Sequence, residues 1–213
     1  MKITILYDNE AARTNLQADW GFACLVEMDG RTLLFDTGAQ GDLLRRNMDM
    51  LGVDAGRIPE VFISHNHWDH VGGLTEILRL NPDATVYVPH SCPGPGEAKP
   101  AVSIDGPYEL SEKVFSTGEL QDIEQSLVVK TAGGLVVVCG CAHPGVEAIL
   151  QAASRFGKVS ALIGGLHGFR EIELLTGLNL ICPCHCTQEK SAILTRFPQT
   201  SVSGGAGKIL EFQ

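Results

Sequence analysis

Apolar residues along this chain fall in short runs closed by Gly, Pro, Asp or Asn, and the period within each run names an element. Residues 2–7 (KITILY) read as a first strand, ended by Asp8, Asn9 and Glu10. Residues 20–28 and 31–35 read as strands joined by a hairpin turn at Asp29-Gly30. Residues 41–51 have helical spacing, 61–63 form a buried strand, 73–80 a helix and 84–88 a strand. Further strands are expected at 113–115, 126–130 and 135–138, the last two joined at Gly133-Gly134. A helix follows at 146–156, then strands at 159–163 and 178–182 and a helix at 188–197. Segments 201–203 and 208–212 close the chain around Gly204-Gly205. No linker or tandem repeat interrupts this order. It predicts one domain over residues 1–213, of class α+β, with two β-sheets packed face to face and helices outside.

Residues 89–107 break the pattern. They are rich in proline and glycine, so helix and sheet interior are not expected there. Residues 91–106 fit either a mobile flap over a site mouth or a solvated linker. His90, at the start of this stretch, reads as an exposed loop histidine.

Composition narrows the partners. Hydrophobic residues make up 44% of the chain and charged residues 19%, enough for a sizeable core. A net charge of -9 argues against nucleic acid as the main partner, because phosphate contacts need a basic face. A small-molecule substrate fits better. The start reaches Asp8 and Glu10 before any long apolar stretch, so no secretory signal is expected, and no apolar run is long enough for a membrane span. Seven cysteines, an odd number, fit reduced thiols and a cytoplasmic location. The sequence does not give an oligomeric state.

The chemistry is concentrated after the strand at 61–63. His65, His67, Asp69 and His70 arrive within six residues, between that strand and a helix that starts at Gly72-Gly73. Imidazole and carboxylate are donors that suit zinc and similar divalent ions. Four such groups on one ion would leave no open position for chemistry, so the spacing suggests two ions. His65 and His67 fall on one, Asp69 and His70 on the other.

HNHWDH resembles the HxHxDH signature of the metallo-β-lactamase superfamily. The resemblance implies an αββα sandwich and a metal-dependent hydrolase. It also implies that Asp36, in the Asp36-Thr37-Gly38 turn, sits behind the metal site and orients a ligand imidazole. The segments ILYDNE, LLFDTG, SHNHWDHVGGL, CGCAHPGV, IGGLHG and PCHCT are similar, in order, to the branch that includes dihydropterin-6-yl-methyl-4-(ribofuranosyl)aminobenzene-5′-phosphate synthases. The region from about Pro89 to Val114 is shorter here than in those enzymes.

Histidines recur at strand ends: the 65–70 cluster, His143, His167 and His185. Such clustering is expected of a shared centre on a rigid sheet scaffold. His65, His67 and His143 are assigned to the first ion; Asp69, His70 and His185 to the second. Zinc is the expected metal, with iron or manganese as alternatives. A water held between the ions loses its proton and becomes the nucleophile toward a small anionic ester, phosphodiester or lactam-like bond, with Asp69 orienting it. The superfamily's bridging Asp has no counterpart, since no Asp lies between His143 and His185. The acids there are Glu147, Glu171 and Glu173, of which Glu171 is the best alternative bridge. His167 is expected to contact substrate or to donate a proton to the leaving group. Cys182, Cys184 and Cys186 alternate around His185, and Cys139 and Cys141 precede His143. They fit small buried residues, a thiolate ligand or a redox-sensitive pair. Two further functions stay open: a transferase like the synthase, and a non-catalytic metal or redox module.

Overall fold

The computed structural model describes residues 1–94 and 101–213. Residues 95–100, the middle of the expected flap, lie outside the described residues. Two sheets pack face to face. The first holds β1 (Lys2–Tyr7), β2 (Ala23–Met28), β3 (Arg31–Phe35), β4 (Glu60–Phe62), β5 (Thr85–Pro89) and β6 (Ala101–Ile104), with the C-terminal strand β13 (Ile209–Glu211) beside β1. The second holds β7 (Tyr108–Ser111), β8 (Val114–Ser116), β9 (Leu127–Thr131), β10 (Gly134–Cys139), β11 (Val159–Gly165) and β12 (Leu180–Cys184). Alternation along the strands puts Ile3, Ile5, Phe35 and Phe62 of the first sheet against Leu127, Val129, Val136, Val138 and Ile163 of the second. The outer face of the first sheet is covered by α1 (Gly41–Met50) and α3 (Leu74–Leu80), through Leu44, Met48, Leu74 and Ile77. The outer face of the second is covered by α4 (Val146–Ala153) and α5 (Lys190–Arg196), through Val146, Ile149 and Ile193. The result is the αββα sandwich that the sequence pattern predicts.

Topology decides where the site lies. β3, β4 and β5 are parallel neighbours, as are β10, β11 and β12. β1 is antiparallel to β2, which is antiparallel to β3, so β1 runs in the β3 direction. The segments after the C-terminal ends of β3 and β4 in one sheet and of β10, β11 and β12 in the other carry every site residue expected from the sequence, and β1 ends at the same rim.

Some expectations need correcting. Residues 101–104 pair with β5 as a parallel edge strand, although the preceding prolines suggested irregular chain throughout. Residues 108–111 add an antiparallel strand at the edge of the second sheet. Residues 201–203 form only an isolated bridge, Ile181 to Ser201. The strand expected from residue 20 begins at Ala23, because Trp20 and Gly21 turn toward the site. His90 is exposed, as expected. Among the described residues no helix is long and apolar enough to cross a membrane.

Candidate metal centre

The His-rich loop leaves β4 and enters α2 (Trp68–Val71), a single helical turn before α3. That turn is seated against the chain after β3: Thr37 donates through its backbone N–H and its Oγ1 to the His70 carbonyl, each at 2.8 Å. His65 is fully buried, His67 is exposed, and Asp69 and His70 point inward. From the second sheet come His143 after β10, His167 after β11 and His185 after β12. Asp36, Ala142, His167 and His185 have φ values of 54°, 55°, 44° and 47°. Left-handed backbone is unfavourable for residues with a Cβ and gathers at functional sites. Here it bends each chain off its strand end so that the next side chains face the shared rim.

Two triads result. His65, His67 and His143 present ligand atoms that all lie within 4.8 Å of one another, and so do Asp69, His70 and His185. His65 Nε2 and His67 Nδ1 are 3.1 Å apart. His185 Nε2 is 3.3 Å from Asp69 Oδ2. His167 lies farther out, its ring centroid 5.3 Å from that of His143. It is exposed and groups with His143 and Cys141 instead of joining either triad.

The outer nitrogen of each buried ring has its own partner. His65 Nδ1 lies 2.8 Å from Ser64 Oγ, which donates to Asp36 Oδ2 at 2.7 Å. His70 Nδ1 donates to the same Asp36 oxygen at 2.7 Å. His143 Nδ1 donates to Glu124 Oε2 at 2.9 Å, and His185 Nδ1 to Asn9 Oδ1 at 2.8 Å. Tying Nδ1 in this way leaves Nε2 with its lone pair turned inward, the arrangement that ligand histidines need. One inward atom is orphaned: His185 Nε2 is buried and has no hydrogen-bond partner. A buried polar atom without a partner is costly, and a cation between it and Asp69 removes the cost. The donor set therefore fits divalent metal.

Electrostatics agrees. Burial pushes His65 and His70 down to about 3, the neutral form that a ligand requires. Burial also pushes Asp36 up to about 7. Burial acts upward on Asp69 too, but the His185 ring close beside it and the charge of His70 hold its carboxyl below the usual range. His143 is raised, chiefly by its hydrogen bond to Glu124.

Several of these residues were not visible in the sequence. Glu124 is fully buried; its Oε1 accepts from the backbone N–H of Gly140, Cys141 and Ala142, and its Oε2 from that of His143. Nothing in the polar stretch before β9 distinguishes it. Asp8 and Asn9 end β1 and hold His185, Asp8 Oδ1 accepting from its backbone N–H at 3.0 Å. The strand-end reasoning applied to the histidines would have found them. Trp20 donates from Nε1 to Asp69 Oδ2 at 2.8 Å and sets its ring edge-on to His185. The cysteines divide: Cys24, Cys182 and Cys184 lie in the intersheet core, while Cys141 and Cys186, their sulfurs 3.3 Å apart, lie at the site. Hydrogen bonding to Cys141 is the main cause that lowers Cys186 to about 6. Among the described residues, Asp69 is the one carboxylate within a potential ligand group, and Glu171 is exposed at the rim. An open cavity of about 680 Å³ adjoins the first triad, lined by Gln121, His143, Pro144, His167, Phe169 and Leu174.

Histidines gathered at the strand ends of an αββα sandwich define a family. The chain belongs to the metallo-beta-lactamase superfamily, whose model matches residues 21–142. It is 23% identical to 7,8-dihydropterin-6-methyl-4-(beta-D-ribofuranosyl)-aminobenzene-5'-phosphate synthase of Methanocaldococcus jannaschii, covering 98% of this chain and 95% of that one. The 281-residue alignment exceeds the length of this chain, so the synthase carries insertions. A crystal structure of a metal-dependent hydrolase of the beta-lactamase superfamily superposes with a TM-score of 0.79 at 26% identity, over 100% of this chain and 99% of that one. Human tRNase Z, short form, shares the fold at 17% identity, with a TM-score of 0.67 over 100% of both chains. The named relatives are enzymes.

Proposed function

We propose that this chain is a metal-dependent hydrolase that holds two divalent ions, zinc foremost, in the two triads. The observation that carries the reading is the pairing of every buried imidazole through Nδ1, so that the remaining nitrogens converge with Asp69 on one rim. When bound, such ions make a water acidic at neutral pH and polarise an electrophilic oxygen. The chain's own residues do the rest. Asp36 and Glu124 fix the tilt of His65, His70 and His143. Trp20 and His185 fix the Asp69 carboxylate, which accepts a hydrogen bond from the attacking water and sets its direction. The cavity beside His143 has the size of a small-molecule site. His167 lines it, and we assign it the role of supplying a proton to the leaving group. The substrate class is a small anionic ester, phosphodiester or lactam.

A second reading has its own support, because the similarity to the phosphate synthase covers nearly the whole chain. In that reading the same rim binds a phosphorylated acceptor and the reaction is a group transfer. Assays of phosphodiester, lactone and lactam panels with zinc, manganese or iron added separate the two. Metal-dependent turnover of any panel member supports the hydrolase. No hydrolysis, together with condensation of a dihydropterin with a ribofuranosylaminobenzene phosphate, replaces it with the transferase.

A further inference from the structure

The two triads meet at one sulfur. Cys141 Sγ is 3.2 Å from His70 Nε2. It forms a group with His65 and His70, a second with His143 and His167, and a third with His185 and Cys186, the ligand atoms in each lying within 4.8 Å of one another. Among the described residues, Cys141 thus occurs in three of the five such groups, and Asp69 in one. Its surroundings differ from those of the structural cysteines. Cys24, Cys139, Cys182 and Cys184 belong to apolar clusters, whereas Cys141 belongs to none and faces His70 and Cys186. Its backbone N–H is pinned to Glu124 Oε1 at 3.0 Å, just before the left-handed turn at Ala142. The orphaned, fully buried Nε2 of His185 opens onto the same space.

We infer that Cys141 is a metal ligand, its thiolate shared between the two triads where this chain lacks a bridging Asp. An imidazole nitrogen has one lone pair and serves one cation, whereas a thiolate sulfur has several and serves two. Coordination breaks the S–H bond, forms bonds from sulfur to each ion and releases the proton to solvent, with no change of oxidation state. Cys186 then remains as the hydrogen-bond partner of the coordinated sulfur. A soft ligand at the shared position selects zinc or iron over manganese or magnesium.

The inference rests on the reading that the triads hold divalent ions, and the test separates the two. Cobalt(II) is titrated into metal-free wild type, Cys141→Ser and Cys186→Ser, reading near-ultraviolet sulfur-to-cobalt charge transfer and the equivalents bound. The band grows through both equivalents in wild type and in Cys186→Ser. It is absent in Cys141→Ser, whose second equivalent binds at least tenfold more weakly. Two equivalents bound by wild type without the band would leave the triads as metal sites and overturn the thiolate. A band kept in Cys141→Ser and lost in Cys186→Ser would move the role to Cys186 and overturn it also. Failure to bind cobalt would overturn both readings. Zinc-edge X-ray absorption of the wild-type protein needs no variant to fold. Sulfur scattering at about 2.3 Å is expected, and nitrogen and oxygen scatterers alone at about 2.0–2.1 Å would overturn the inference.

Discussion

Glu124 shows how one residue can hold a site it does not line. Its carboxylate is fully buried, yet four backbone N–H groups and the His143 ring satisfy it. Burial pushes its pKa up, but these bonds and the nearby His65 outweigh burial and hold it at about 2. Glu124→Gln keeps the shape, removes the charge and turns an amide N–H₂ toward donors. It is expected to cost about 2–4 kcal/mol in chemical denaturation. An unchanged midpoint would mean that the 140–143 turn is held by other contacts. Asp69→Asn tests the site itself. The Trp20 hydrogen bond survives on the amide oxygen, so the stability of the metal-free chain changes little. Metal content is expected to fall toward one ion per chain, and turnover by at least about a hundredfold. Elemental analysis showing wild-type metal, with turnover intact, would remove Asp69 from the centre. At this scale the histidines were legible because each follows an apolar run. Glu124 was not, because its partners are backbone groups that only the fold assembles.

At the level of elements, the decisive join is between the turn after β3 and α2. Thr37 and Gly38 run against Gly72 and Gly73 with no room between them: a Cβ on Gly72 would stand 2.1 Å from the Ala39 carbonyl oxygen, and one on Gly73 would stand 2.3 Å from that of Thr37. Both obstacles are backbone, so neither can swing aside. Gly72→Ala must therefore push α2 off its seat, and α2 carries Asp69 and His70. The expected cost is about 1–3 kcal/mol, with loss of metal from the second triad before loss of fold. Thermal unfolding and metal analysis of the same preparation check both parts. The Gly-Gly pair was legible as a helix start, but its service to close packing was not, since that depends on residues more than thirty positions away. The edge strands β6 and β7 were missed for a related reason. Their sequences carry weak patterns, and they become strands by pairing with β5 and β8. Pro183 sits in β12, an edge strand where a missing N–H is tolerated.

Across the whole molecule, the candidate centre joins two sheets that pack mainly through apolar side chains. His65, His67, Asp69 and His70 belong to the first sheet, and His143 and His185 to the second. The sandwich was legible because strand alternation and helix spacing each specify a buried face. The meeting of the two sheets at one rim was legible only as a clustering of histidines at strand ends. Metal bound there clasps the layers, so its removal is expected to lower stability, by about 2.7 kcal/mol if free metal had stood at a hundred times its dissociation constant. The pH dependence of the metal-free chain has a definite sign. His65 and His70 stand at about 3 when folded, against 6.5 for a free imidazole. The unfolded chain therefore takes up their protons first. The stability they contribute is full above about pH 6.5 and is lost as pH falls toward about 3. Asp36 acts oppositely: at about 7 when folded against 3.8 when free, it contributes fully below pH 3.8 and loses that contribution as pH rises toward 7. His67, lowered by burial, acts with His65 and His70, and His143, raised by its bond to Glu124, acts with Asp36; the larger set of lowered imidazoles is expected to leave a net loss on acidification. With metal bound, protons also compete for the ligand nitrogens, so the metal's contribution fades over the same range. Thermal unfolding of loaded and chelated protein at pH 8 and pH 5 checks this. The loaded protein is expected to melt higher at pH 8, the gap to narrow at pH 5, and the chelated protein to melt lower at pH 5 than at pH 8. Identical melting of loaded and chelated protein at pH 8 would show that the rim does not clasp the sheets through metal.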